Sequence, residues 1–201
     1  MDTERLHKQF EFFREIDKEK RIKRQTYLTD AQTKENDAEH AWHSAIMTLL
    51  LSEYSNKEID VLRTMSMLLI HDLVEIDAGD TYAYDEEGKK TQKERELKAA
   101  DRIFSILPDD QRKKLREIWD EFEKGETQEA KFARSMDRIQ PLMLNAATKG
   151  KSWQEHEVYA KQVLERNKTT HEGSEILWKY AKNEFITPYV ETGVLKSEKQ
   201  E

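Results

Sequence analysis

Apolar residues recur along most of this chain at three- and four-residue intervals, the period of a helix with one buried face. Over residues 2–22 the spacing of Phe10, Phe13 and Ile16 predicts a first amphipathic helix. The polar stretch Lys23–Asp37 leads into a second helix over Ala38–Tyr54, and Asn56 is placed to cap a third that runs to Ile76. Asp77–Lys90, with two Gly and a run of acids at Asp85-Glu86-Glu87, reads as a long solvated loop. A fourth helix fits Gln92–Ile106. Pro108 suits the first turn of a fifth that ends near Glu123, and Thr127 caps a sixth over Gln128–Lys149, closed by Gly150. Ser152-Trp153-Gln154-Glu155 has the spacing of a capping box for a seventh, and a last helix covers 172–186 ahead of Pro188. No segment sustains the two-residue alternation of a strand, so the expected fold is all-α.

Composition agrees with that pattern. Gly and Pro are scarce, at six and three residues, while helix-forming residues abound. At 201 residues the chain suits one domain, taken as residues 1–190, with 191–201 as a C-terminal tail. The lack of cysteine excludes disulfides and thiolate metal sites. A net charge of −7 argues against a nucleic-acid polymer as partner, because phosphate backbones need a basic surface. Residues 1–24 lack the apolar core of a signal peptide, and the apolar runs Met47–Leu51 and Leu68–Ile70 are too short to span a bilayer. The expected setting is cytoplasmic, away from membranes.

The chemistry concentrates in Met67-Leu68-Leu69-Ile70-His71-Asp72-Leu73-Val74-Glu75-Ile76. A carboxylate inside such an apolar run is costly unless it meets positive charge. A divalent cation held by His71 and Asp72 resolves that cost. His40, one helix earlier, can add a second imidazole, and Asp137, beside the bend expected at Pro141, a second carboxylate. Two His and two Asp form a mixed nitrogen and oxygen set that accepts Co²⁺, Mn²⁺, Zn²⁺, Fe²⁺, Ni²⁺ or Mg²⁺. Such a cation acidifies water and polarises a phosphoryl group. Glu75, four residues after His71, faces the same side and can orient or deprotonate that water; Asp80 after Gly79 can hold it from the loop side. His43 and His156 are weaker candidates for places near the pocket. His7 and His171 read as surface residues, and the four Trp as core or interface.

These residues resemble the HD-domain metal phosphohydrolases, whose pattern is His, then His-Asp, then Asp, all on helices. The resemblance is nearest to the 5′-deoxyribonucleotidase and oxetanocin-like branch, through Glu35-Asn36-x-Ala38-Glu39-His40, His71-Asp72-x-x-Glu75-x-x-x-Gly79-Asp80 and Met136-Asp137. It covers roughly residues 20–165. It implies a single-domain bundle of about seven to eight helices, one bound divalent metal on His40, His71, Asp72 and Asp137, and hydrolysis of (deoxy)nucleoside 5′-monophosphates. It also implies a homodimer, Glu75 as acid/base helper, Asp80 as water or substrate contact, and a phosphate-binding Arg that maps to Arg24, with Arg21 as substitute. Ile76 departs from the His-Asp-x-x-Glu-Asp of alarmone hydrolases, and no Gly-Tyr-Pro of cyclic-dinucleotide phosphodiesterases is present. A rival from another class is a non-catalytic scaffold stapled by the metal, against which the spare carboxylates of Glu75 and Asp80 argue.

Overall fold

The structure, a computed structural model, describes residues 3–197. Among the described residues it is all-α apart from one small hairpin and an isolated bridge between Tyr159 and Lys196. The amphipathic pattern of the N-terminus gives α1 (Thr3–Ile16), but the helix tightens into a 3-10 turn over Asp17–Arg21 rather than running on to residue 22. Phe12 faces the core, whereas Phe10 and Phe13 stand exposed against one another. The stripe expected from Phe10 and Phe13 is therefore corrected by one helical step.

The polar stretch after it is a two-stranded antiparallel hairpin, β1 (Lys23–Tyr27) and β2 (Lys34–Asn36), which the sequence reading missed. Its strands are too short to alternate visibly. Polar contacts fix it instead: Asp30 accepts from the backbone N–H groups of Gln32 and Thr33 across the turn, and the Lys34 and Lys151 ammonium groups lie 3.9 and 4.0 Å from the centre of the Tyr27 ring.

The hairpin leads directly into α2 (Asp37–Leu51). Asn36 accepts from the Glu39 N–H and Glu39 from the Asn36 N–H, each at 3.0 Å. This reciprocal cap fixes where the helix starts, and so where His40 points. Next comes α3 (Val61–Ile70), capped by Asp60 rather than Asn56. Asn56 instead ties its loop to residues 171–175, donating to the carbonyls of His171 and Glu172 and accepting from the Glu175 N–H.

The expected long third helix breaks at its most informative point. His71–Val74 form a 3-10 turn, followed by the short α4 (Glu75–Ala78). The Trp119 indole donates to the His71 carbonyl at 3.1 Å and so satisfies a backbone acceptor there.

The expected loop to Lys90 is only Gly79–Asp85, because α5 (Glu86–Phe104) begins at the acidic run. Asp85 caps it, accepting from the Glu87 and Gly88 N–H groups, and Glu86 and Glu87 sit at the positive end of the helix dipole. Then follow α6 (Asp109–Lys124) and α7 (Gln128–Ala147), the latter capped by Thr127 and carrying Pro141 inside it.

Ser152 does not form the expected capping box. It is buried within α8 (Lys151–Glu155), which starts from the left-handed Gly150. The chain ends in α9 (Ala160–Arg166), α10 (Glu175–Ala181), a single wide turn over Lys182–Ile186, and α11 (Thr187–Glu191), which Pro188 opens rather than prevents. The segment after residue 190 packs onto the bundle as far as Lys196: Leu195 is fully buried and the Ala160 N–H donates to the Lys196 carbonyl. Residues 198–201 of the expected tail lie outside the described residues.

At the centre, α2, α3 and α7 pack against one another, and α6 closes over α3 and α7. Met67, Leu68, Ile103, Phe104, Phe132 and Met136 are all at most 1% exposed. Among the described residues no helix is long and apolar enough to cross a membrane.

Candidate metal centre

Five of these segments turn polar side chains into one cavity of about 230 Å³. Its walls include Arg24 from β1, His71 and Asp72 from the 3-10 turn, Glu75 from α4, Asp80 from the loop and Asp137 from α7. His40 of α2 is fully buried behind Asp137, whose Oδ1 lies 3.1 Å from His40 Nε2 and 3.6 Å from His71 Nε2. The metal-ligand candidates of the sequence thus meet. His40, His71 and Asp72 each offer one ligand atom within 4.8 Å of the other two.

The orientation of both imidazoles follows from their outer nitrogens. His71 Nδ1 lies 2.7 Å from the Leu68 carbonyl oxygen, which can only accept, so Nδ1 carries the proton. His40 Nδ1 lies 2.9 Å from Gln140 Oε1. The amide of Gln140 is fixed in turn, because its nitrogen faces Glu35 Oε1 at 2.6 Å and His43 Nδ1 at 3.2 Å. Reversing it would put oxygen against a carboxylate. Both rings therefore present Nε2 to the cavity.

That presentation tests whether a cation fits. His71 Nε2 is buried and makes no hydrogen bond, although Asp72 Oδ2 and Asp137 Oδ1 are 3.2 and 3.6 Å away. A lone pair facing two carboxylates is repulsive until a proton or a metal ion lies between them. Burial opposes the charged ring, but Asp72 and Asp137 outweigh it and hold the His71 pKa well above its usual value. Burial likewise opposes ionisation of Asp72 and Asp137, yet His71 with Arg24, and the two His respectively, hold both carboxyls low. The donor set is built for positive charge.

Carboxylates outnumber cations around it. Burial, then Asp72, pushes Glu75 well above the usual carboxylate range; the same causes, in the same order, take Asp37 to about 7 and Glu19 to about 8. Asp80 is raised too, first by burial. Glu75 Oε2 and Asp37 Oδ2 are buried without partners. Arg24 sits among them, with Nη1 2.7 Å from Asp72 Oδ2 and 3.2 Å from Asp37 Oδ1, while Arg21 is exposed and does not line the cavity.

Of the weaker candidates, His43 stands behind His40 as a partner of Gln140. His156 lies at the rim, against Gln25 and the Tyr82 ring, and His7 and His171 are exposed. Trp119 and Trp153 are buried, whereas Trp42 is 63% exposed. Glu35, Asp37 and Gln140 were missed as site residues. Asn36-x-x-Glu39 was a legible cap and would have placed Glu35 and Asp37 at the helix mouth. Gln140, one turn after Asp137, had no signal of its own.

A helical bundle that aims two imidazole nitrogens and adjacent carboxylates into one pocket defines a metal-site protein of the His-Asp kind. The chain belongs to the HD domain family, whose pattern matches residues 16–178. It is 30% identical to the 5′-deoxynucleotidase HDDC2 of Homo sapiens and 29% identical to that of Bos taurus, over 66% of this chain and 64% of each relative. The chain therefore spans a little under two thirds of the length of these curated relatives. It also matches the crystal structure of a predicted metal-dependent phosphohydrolase from Magnetospirillum magnetotacticum MS-1, at 46% identity and a TM-score of 0.90 over 95% of both chains.

Proposed function

We propose that this protein is a metal-dependent phosphohydrolase that releases phosphate from (deoxy)nucleoside 5′-monophosphates. One observation carries the reading: His40 and His71 both have Nδ1 tied off and Nε2 turned towards Asp72 and Asp137. His40, His71, Asp72 and Asp137 would hold the divalent ion. When bound, it supplies acidified water and an electrophilic pull on the phosphoryl oxygens.

The protein's own groups do the rest. Arg24 gives a guanidinium fork for phosphate oxygens once it exchanges its carboxylate partners for substrate. Glu75 takes the proton of the attacking water at its unpartnered Oε2, and Asp80 contacts the water or the substrate from the loop. As water attacks phosphorus, the ester P–O bond breaks and the leaving nucleoside oxygen receives the proton that Glu75 took from the water.

The related 5′-deoxynucleotidases support this substrate class, and the predicted metal-dependent phosphohydrolase supports the reaction type. The test is phosphate release from a nucleotide panel after chelation, with and without added Co²⁺ or Mn²⁺. Release that returns only with metal and favours 5′-monophosphates is expected; metal binding with no release would leave a scaffold.

The same proposal includes a cytoplasmic setting, where nucleotide pools turn over, and a homodimer. Trp42, Ile46, Leu49 and Leu50 leave one face of α2 apolar and exposed, as an interface between copies requires. Light scattering on the purified protein should give twice the chain mass, and Trp42→Glu should halve it.

A further inference from the structure

The metal pocket does not end at its own rim. A second cavity, of about 440 Å³, lies next to it, and Ala83, Tyr84, Arg138 and Arg166 line both. In a chain of net charge −7, this outer groove carries five basic side chains against two acidic ones. Lys89 pairs with Glu86 and Lys168 with Glu165. Arg138, Lys161 and Arg166 form no ion pair within 4.0 Å among the described residues, although Asp137 and Glu172 lie in the field of Arg138 and Asp80 in that of Arg166. Arg138 is half-buried and donates to the Thr169 hydroxyl.

Several cationic side chains gathered along one partly buried wall attract an anion. Arginine is also the side chain whose planar fork matches phosphate. Arg24 and the metal ligands already serve one substrate phosphate, which leaves Arg138 and Arg166, shared by both cavities, and Lys161 in the outer one for a second anion.

We propose that Arg138 and Arg166, with Lys161 further out, form a second phosphate subsite, so that the two cavities together take a nucleoside bisphosphate, one phosphate in each. This rests on the reading that the inner pocket takes the 5′-phosphate. The second phosphate lies on the sugar, away from the scissile one.

The experiment compares deoxyadenosine 5′-monophosphate with deoxyadenosine 3′,5′-bisphosphate on the full chain. KM is measured with Mn²⁺, and calorimetric affinity in chelator, where nothing turns over. One or two charge-assisted contacts should make the bisphosphate bind about tenfold tighter to the wild type. That preference should weaken with added salt and in Lys161→Met, where the monophosphate KM stays unchanged within about twofold, and fall to parity in Lys161→Met/Arg166→Met. Equal affinities in the wild type, or a preference that survives both variants, would overturn the subsite. The two readings fail separately. No phosphate release with the calorimetric preference intact removes the hydrolase and keeps the subsite; hydrolysis without the preference does the reverse.

Discussion

Gln140→Leu tests the account at a residue that touches neither metal nor substrate. In the folded protein Gln140 is fully buried, accepts from His40 Nδ1 and donates to Glu35 and His43. Leucine is of similar size, so the change removes hydrogen bonds with little loss of volume. It strands the His40 N–H and Glu35 Oε1, and each buried unsatisfied group costs about 1–3 kcal/mol. A stability loss on the order of 2–6 kcal/mol follows by the same reasoning, unless water enters. Metal affinity should fall too, by about 10–100-fold, or roughly 1.4–2.7 kcal/mol, because His40 loses the partner that fixes its ring and proton. Gln140→Glu separates the two effects. It keeps an acceptor for His40 while losing the donor to Glu35, so it should destabilise the fold yet hold metal better than the leucine variant. The assays are chelator competition for Mn²⁺ or Co²⁺ and thermal unfolding of the metal-free proteins. A leucine variant that is destabilised but binds metal as the wild type does would refute the claim that Gln140 orients His40.

Glu75→Gln should retain metal and fold while turnover drops by about 10²–10⁴, measured as phosphate release at saturating metal. Asp72→Ala should lose metal as well as activity, as metal analysis after desalting would report. Adding Mn²⁺ at about 100 times its Kd should stabilise the chelated protein by about 2.7 kcal/mol, read as a rise in unfolding midpoint that His71→Ala abolishes. Glu19 is buried, and its folded pKa of about 8 lies above the 4.5 of a free Glu, so the folded state holds its proton more tightly. The stability this gives is full below pH 4.5 and is lost as pH rises through 8, at up to about 1.4 kcal/mol per pH unit. Glu19→Gln should flatten that decline in urea titrations of the metal-free protein. A parallel decline in wild type and variant would count against it.

Where residue chemistry and periodicity agreed, the sequence was a good guide. The all-α class and the meeting of His40, His71, Asp72 and Asp137 could be read because buried ionisable groups in apolar runs need partners. The Thr127 cap could be read because its side chain acts on its own helix. What escaped depended on contacts distant along the chain. The hairpin at 23–36 is held by a turn carboxylate and by Lys34 and Lys151 over Tyr27, and hydrophobic spacing has no sign of that. The 3-10 break at His71 lies within an unbroken helical pattern. Asn56 looked like a cap because the residues that claim its side chain, 171–175, are over a hundred positions away. Asp85-Glu86-Glu87 looked like a loop because charge was weighed before capping.

Two imidazoles and two carboxylates that hold a cation leave a direct signature. Anomalous diffraction from crystals grown with Mn²⁺ tests for it most directly. The account predicts a peak within bonding distance of His40 Nε2, His71 Nε2, Asp72 and Asp137. Manganese bound elsewhere, or no peak there at saturating Mn²⁺, would contradict it.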